Sequence, residues 1–290
     1  MMMRELELEM PGDLQESLAC LPEATPLAGG TNLLVDIRAD REQSKRLVWL
    51  GNIDAFREIK IDAQQVSIGG GTTLSDIIHC PAMAEAAPSL FGAARVFGGQ
   101  MVRNRATVAG NICSGSPAAD TVPPLLSLDA NIRLTNTKGC HTVPLDQFYT
   151  GFKKNMRKQD ELITGLSWTA PSPNTANLFY KLARRKGDAI TVVGVAVTVT
   201  REGDRCTRAR IALGAVGTTV FRAKDAEAIL TGRILSEKLI GDAAQKAMEQ
   251  SNPIDDLRAS ADYRRHSVNV LTRRLIAQAW QSLRDKETDT

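Results

Sequence analysis

Runs of apolar residues in the first half of the chain switch between strand-like and helical spacing, and glycine or proline closes most of them. Residues 5–10 read as a short strand and 13–21 as a helix, with Asp13 as its N-cap and Leu14, Leu18 and Leu21 on one face. Residues 25–28 read as a strand, Gly29-Gly30 as a turn, and Thr31 or Asn32 as the N-cap of a helix carrying Leu34, Val35 and Ile37 on its apolar side. Strands are predicted at 46–50 and 65–68, followed by the turn Gly69-Gly70-Gly71 and a helix opening at Thr72 and Thr73. Residues 83–96 read as one Ala-rich helix running into Phe97-Gly98-Gly99-Gln100, and 131–135 and 162–168 as strands.

The Pro-rich polar connector 169–174 marks a change of character. Beyond it, 178–183, 191–200 and 206–213 are rich in β-branched and aromatic residues, with Glu202-Gly203-Asp204 as a hairpin turn, so an antiparallel sheet is the simple solution. Residues 225–231, 237–250 and 260–283 read as helices; in the last, Val268, Leu271, Leu275, Ala279 and Leu283 fall near helical spacing. At 290 residues the chain exceeds the usual size of one domain, and the connector divides this α+β chain into units 1–170 and 175–290.

Composition excludes more than it assigns. A hydrophobic share of 43% with 24% charged residues is ordinary for a globular protein. Lys plus Arg number 36 against 33 Asp plus Glu, with no long run of one sign, so no nucleic-acid partner is expected. No window is apolar enough for a membrane span and nothing near Met1 reads as a targeting segment, which leads to the expectation of a cytoplasmic protein. Cys20, Cys80, Cys113, Cys140 and Cys206 lack metal-ligand spacing, and three histidines without a G-x-S-x-G motif form no hydrolase triad. Neither a metal site nor a catalytic side chain is expected. G-x-G-x-x-G and P-loop patterns are absent, against a Rossmann or Walker fold.

Candidate chemistry lies in two stretches of small residues. In 105–120 almost every side chain is small or a turn former, with only Val108 and Ile112 bringing apolar bulk; 27–34 has the same character. Small side chains let a ligand approach the backbone, where N–H groups can point at it. Two such loops suit one elongated ligand held between them. The strand, glycine turn and helix N-terminus at 25–32 offer a phosphate unsatisfied N–H groups and the positive end of a dipole; the alternative is a simple tight turn. Asp120 reads equally as a partner for ligand hydroxyl or amide groups or as an Asx-turn former. Arg184-Arg185-Lys186 and Arg264-Arg265 read as solvated charge or as docking points for an anionic partner or cofactor tail.

The run Val102-Arg103-Asn104-Arg105-Ala106-Thr107-Val108-Ala109-Gly110-Asn111-Ile112-Cys113, closed by Ser116-Pro117-Ala118-Ala119-Asp120 and Pro123-Pro124, resembles the FAD-binding medium subunit of the molybdenum hydroxylases. That group includes carbon monoxide dehydrogenase, bacterial xanthine dehydrogenase and 4-hydroxybenzoyl-CoA reductase. Ala28-Gly29-Gly30-Thr31-Asn32 is similar to the family's first FAD loop, and the similarity continues through Tyr180-Lys181-Leu182-Ala183-Arg184-Arg185 with Asp188, Gly194-Val195-Ala196-Val197, and Ser260-Ala261-Asp262-Tyr263-Arg264-Arg265. Ala109 departs from the family, standing where many relatives have a second glycine, and the four-cysteine insertion of the reductase member is absent.

The resemblance implies a two-lobed FAD-binding domain of the PCMH/vanillyl-alcohol-oxidase type, followed by a small α+β C-terminal domain with a three-stranded antiparallel sheet and helices. It implies an oxidoreductase of three subunits: a large one with the molybdenum cofactor, a small one with iron-sulfur clusters, and this one with FAD, passing electrons to an external acceptor such as NAD or a quinone. It also implies a cofactor loop starting at Leu27, in which Ala28, Gly29, Gly30, Thr31 and Asn32 wrap the pyrophosphate. Thr107, Gly110, Asn111 and Ser114 are implied as a second wall, Asp120 as partner of ribityl or ribose hydroxyls, and Lys181 at the carbonyl edge of the isoalloxazine. Two other classes stay open: a stand-alone flavin reductase or oxidase of the same FAD-binding fold, and a scaffold subunit without flavin.

Overall fold

The computed structural model describes residues 5–288, so the outer ends of the two predicted units, 1–4 and 289–290, lie outside the described residues. Three short parallel strands, in the order Glu7–Glu9, Arg46–Trp49, Thr25–Leu27, form the sheet of a small N-terminal lobe. A five-stranded antiparallel sheet follows, ordered Ile59–Ile61, Gln65–Gly69, Leu162–Thr169, Asn131–Asn136, Gly139–Pro144. The last large sheet is antiparallel, ordered Thr175–Ala183, Thr191–Glu202, Arg205–Gly214, Phe221–Arg222.

That sheet has four strands where three were implied. The fourth, Phe221–Arg222, pairs only with Ala212 and Leu213 and is too short to leave an alternating pattern in the sequence. Ile59–Ile61 and Gly139–Pro144 also escape the pattern, because both are edge strands whose side chains lie mostly in solvent. The predicted helix 83–96 is two helices, Met83–Ala86 and Pro88–Val96, with Ala87 between them at φ −155°. Pro88 has no N–H to continue the first helix, and its ring forces the preceding residue out of helical conformation.

Strand Thr191–Glu202 explains how the two units join. It is buried on both faces, and its two faces differ in bulk rather than polarity. Val193, Val195, Val197 and Val199 point into a core closed by helices Lys224–Leu230, Glu237–Gln250 and Ala261–Thr288. Ala196 and Thr198 face the first unit, whose helix Val122–Ser127 settles on the small-residue side of the sheet with every residue buried. Pro123 and Pro124 sit in the first turn of that helix, where the missing N–H groups leave nothing unsatisfied.

A buried polar cluster fixes this contact. The Ser89 N–H donates to Asn177 Oδ1 at 2.9 Å, and Asn177 Nδ2 donates to Ser127 Oγ at 3.2 Å and to Thr198 Oγ1 at 2.7 Å. Every polar atom of the Asn177 side chain is satisfied in this contact, which ties both units to one packing arrangement. No described helix is long and apolar enough to cross a membrane.

Gly92, in helix Pro88–Val96, has nothing within 4 Å of where a Cβ would stand. Gly92→Ala is therefore expected to stabilise the chain by about 0.5–1 kcal/mol through reduced chain entropy and better helix propensity. A calorimetric midpoint that falls instead would show this turn not to be helical in solution.

Candidate functional site

The glycine turns converge on one open cavity of about 880 Å³, inside the range of roughly 300–1,000 Å³ usual for small-molecule and cofactor sites. Ala28, Gly29, Gly30, Thr31 and Asn32 line it, as do Thr107, Gly110, Asn111, Ser114 and Asp120. The two small-residue loops thus face one space, and they also touch: a Cβ on Gly29 would overlap the carbonyl of Arg105. Only glycine permits that approach.

Two helix N-termini lie side by side in the wall. Helices Leu74–His79 and Val108–Cys113 are joined at their starts by a bridge between Thr73 and Thr107, with the Leu74 N–H donating to Ala106 O and the Val108 N–H to Thr72 O, each at 3.0 Å. Thr73 and Asp76 form a capping box, and Thr107 Oγ1 accepts from the Gly110 N–H at 3.0 Å. In the first loop, by contrast, the backbone N–H groups of Gly29, Gly30, Thr31 and Asn32 meet no acceptor among the described residues. Gly30 holds φ +72°, in the left-handed region. Consecutive unpaired donors in a cavity wall form an anion cradle.

Two implied site residues, Leu27 and Lys181, stand outside the cavity lining, and Asn32 lines it without the capping bond its sequence position offered. Leu27 does not reach the cavity; it is buried with Ile37 and Leu47 in the core of the small lobe. Asn32 heads helix Leu33–Arg38 without capping it: its backbone is already helical, and its Nδ2 donates to Asp36 Oδ2 at 3.0 Å. Lys181 stops behind the cavity wall, where its Nζ donates to Asp120 Oδ2 at 2.6 Å and to Val96 O at 3.2 Å.

Asp120 is not an Asx-turn former. One carboxylate oxygen takes Lys181 and the other accepts from the Thr191 hydroxyl, so a residue of the first unit is held by two residues of the second. Burial pushes its carboxyl up from the ordinary aspartate range, against the opposing pull of Lys181 and Thr191. Asn111 and Ser114 shape the wall with bonds of their own: Asn111 Oδ1 accepts from Thr121 Oγ1 at 2.7 Å, and Ser114 Oγ donates to Asn111 O at 2.7 Å. Arg264 is neither solvated nor a docking point, since it is buried and donates to Val192 O at 2.8 Å, Ala215 O at 3.0 Å and Asp256 Oδ1 at 2.7 Å.

Further lining residues come from distant elements: Trp49, Phe56, Arg57, Arg157 and the segment Asp188-Ala189-Ile190. Apart from Asp188, which the family resemblance includes, none of these carries a local signal. Gly70, Gly71 and Thr73 also line the cavity, and they had one, repeating the strand, glycine turn and helix start of 25–32. No histidine stands among the lining residues, and the cavity offers no nucleophile paired with a base. Its chemistry is that of holding a ligand.

Residues 5–168 match the family described as FAD binding domain in molybdopterin dehydrogenase, and 178–279 match the CO dehydrogenase flavoprotein C-terminal domain. The chain is 30% identical over 278 residues to the carbon monoxide dehydrogenase medium chain of Hydrogenophaga pseudoflava, spanning 94% of this chain and 96% of that one. It is 27% identical over 264 residues to the xanthine dehydrogenase FAD-binding subunit of Escherichia coli O157:H7, spanning 90% of each. Among solved structures, carbon monoxide dehydrogenase from Hydrogenophaga pseudoflava superposes with a TM-score of 0.93 at 30% identity, covering 97% of this chain and 99% of that one. Quinoline 2-oxidoreductase from Pseudomonas putida 86 gives 0.89 at 29% identity, covering 98% and 99%. With the likeness extending over nearly the whole length in sequence and in structure, the chain belongs to the FAD-binding medium subunits of the molybdenum hydroxylases, oxidoreductase components whose cofactor is FAD.

Proposed function

We propose that this cavity holds the FAD, with the pyrophosphate against the N–H groups of Gly29, Gly30, Thr31 and Asn32, and that the chain is the electron outlet of a three-subunit enzyme. The observation that carries the placement is the row of unpartnered backbone donors packed against the second loop. When bound, FAD supplies electron exchange between iron-sulfur clusters on a small subunit and an external acceptor such as NAD or a quinone, the substrate being oxidised at the molybdenum cofactor of a large subunit.

The chain's own residues bind and orient. Gly29 and Gly30 keep side-chain atoms out of the cradle, and the Thr31 and Thr107 hydroxyls stand beside it as further donors. Asp120, fixed by Lys181 and Thr191, keeps lone pairs for ribityl or ribose hydroxyls. Lys181 acts through Asp120. The second unit, taken as 175–290, closes the cavity with Asp188, Ala189 and Ile190.

The electron path is testable in the assembled complex, reduced anaerobically with dithionite and freed of excess reagent. Adding NAD or a quinone is expected to restore the visible flavin band before the iron-sulfur bands. Clusters that reoxidise while the flavin stays reduced would overturn the outlet reading.

A further inference from the structure

We infer that the loop 252–260 and the neighbouring cations Arg184, Arg185 and Lys186 form the docking face for the subunit that hands electrons to the flavin, a surface apolar at its centre and acidic around it. This rests on the electron-outlet reading above.

Ile254 and Leu257 are 71% and 82% exposed, although the loop that carries them is held in place. Asp256 Oδ1 accepts from the Arg258 N–H at 2.8 Å and from Arg264 Nη2 at 2.7 Å, and the Asn252 N–H donates to Val216 O at 2.8 Å. A fixed loop that presents two large aliphatic side chains to water gains nothing for the chain alone, and apolar surface of this kind marks an interaction site.

The cations beside it make no ion pair among the described residues. Arg184 Nη1 donates to Leu257 O at 3.1 Å, which places this cation against the apolar pair, and Arg185 donates only to the carbonyls of Gly187 and Asp188. Among the described residues, no carboxylate pairs with Arg184, Arg185 or Lys186, and all three are exposed. An acidic rim on the partner would meet them and steer its approach.

The same segment runs on into Asp188, Ala189 and Ile190 in the cavity wall. A partner seated on Leu257 and Arg184 thus engages the segment that leads into the cavity wall, the side on which an electron donor is needed. A lipid surface fits less well, because the apolar pair sits on a pinned loop rather than on a long amphipathic helix.

The test uses the full chain and its co-expressed large and small subunits. Leu257→Glu and the pair Arg185→Glu/Lys186→Glu are each expected to weaken assembly about tenfold or more, the charge reversal also flattening the salt dependence of association. Ile234→Glu, at an exposed position in another segment, is expected to assemble normally. FAD retention by the free chain, which tests the cofactor reading separately, is expected to be unchanged in Leu257→Glu and Ile234→Glu. Normal assembly of the Leu257 and Arg185/Lys186 variants, or equal damage from Ile234→Glu, would overturn the proposal. Sedimentation of the wild-type chain with phosphatidylglycerol vesicles, lost in Leu257→Glu, would assign the face to a lipid surface and overturn it as well.

Discussion

Gly29→Ala is expected to abolish stoichiometric FAD retention. The added methyl group would overlap the Arg105 carbonyl and crowd the Ala106 nitrogen, so the two loops can accommodate it only by moving apart. Backbone cannot rotate away as a flexible side chain does, and overpacking against it costs about 1–3 kcal/mol or more. The displaced segment leads directly into Thr107 and helix Val108–Cys113, so the shift separates both walls of the cradle. We expect FAD affinity to fall at least about 100-fold, or by some 2.7 kcal/mol, measured by fluorescence titration. Gly92→Ala is the matched control, an added methyl in open space. Equal FAD affinity in the two variants would show that the loops need not touch to bind the cofactor.

Lys181→Met has the second large effect. It leaves the Asp120 carboxylate in a buried site with only the Thr191 hydroxyl, and breaking a buried pair in this way costs about 3–5 kcal/mol. Burial already pushes the Asp120 carboxyl up, and loss of the cation pushes it further, so the variant takes up a proton on folding. A carboxyl raised above its unfolded value contributes stability that is present below that unfolded value and is lost as pH rises through the folded one. The thermal midpoint of Lys181→Met should therefore fall more steeply than wild type as pH rises above the ordinary aspartate range. The double variant Asp120→Asn/Lys181→Met should recover part of the loss, because no charge is left alone. Parallel pH profiles for wild type and Lys181→Met would show the pair to be dispensable.

The cradle was legible because its signals are local. Glycine turns followed by Thr31 and Thr107 announce themselves wherever they occur, and so do caps such as Asp13 and the connector near Pro171. The break at Pro88 was missed, because an Ala-rich run invites one long helix. What local pattern cannot give is register. Strand Thr175–Ala183 pairs Lys181 with Gly194, and that alignment sets Lys181 toward Val96 and Asp120 rather than into the cavity. A slip of one residue would reverse its face.

The central strand shows the same limit. Its run of valines spaced by Gly194, Ala196 and Thr198 looks like a half-buried strand, whereas both faces are covered, and only the packing of Val122–Ser127 reveals why the alternate residues are small. Asp188, Ala189 and Ile190 reach the cavity from the second unit by topology alone.

The flavin content of the purified complex, compared between wild type and Gly30→Glu, tests the central claim most directly. Glutamate at this position would bring a side chain to a φ that favours glycine and a negative charge to the proposed pyrophosphate cradle. Stoichiometric FAD in the wild type and a colourless but folded Gly30→Glu chain, by far-ultraviolet circular dichroism, is the expected result. Full flavin retention in Gly30→Glu would contradict the placement of FAD between the two loops.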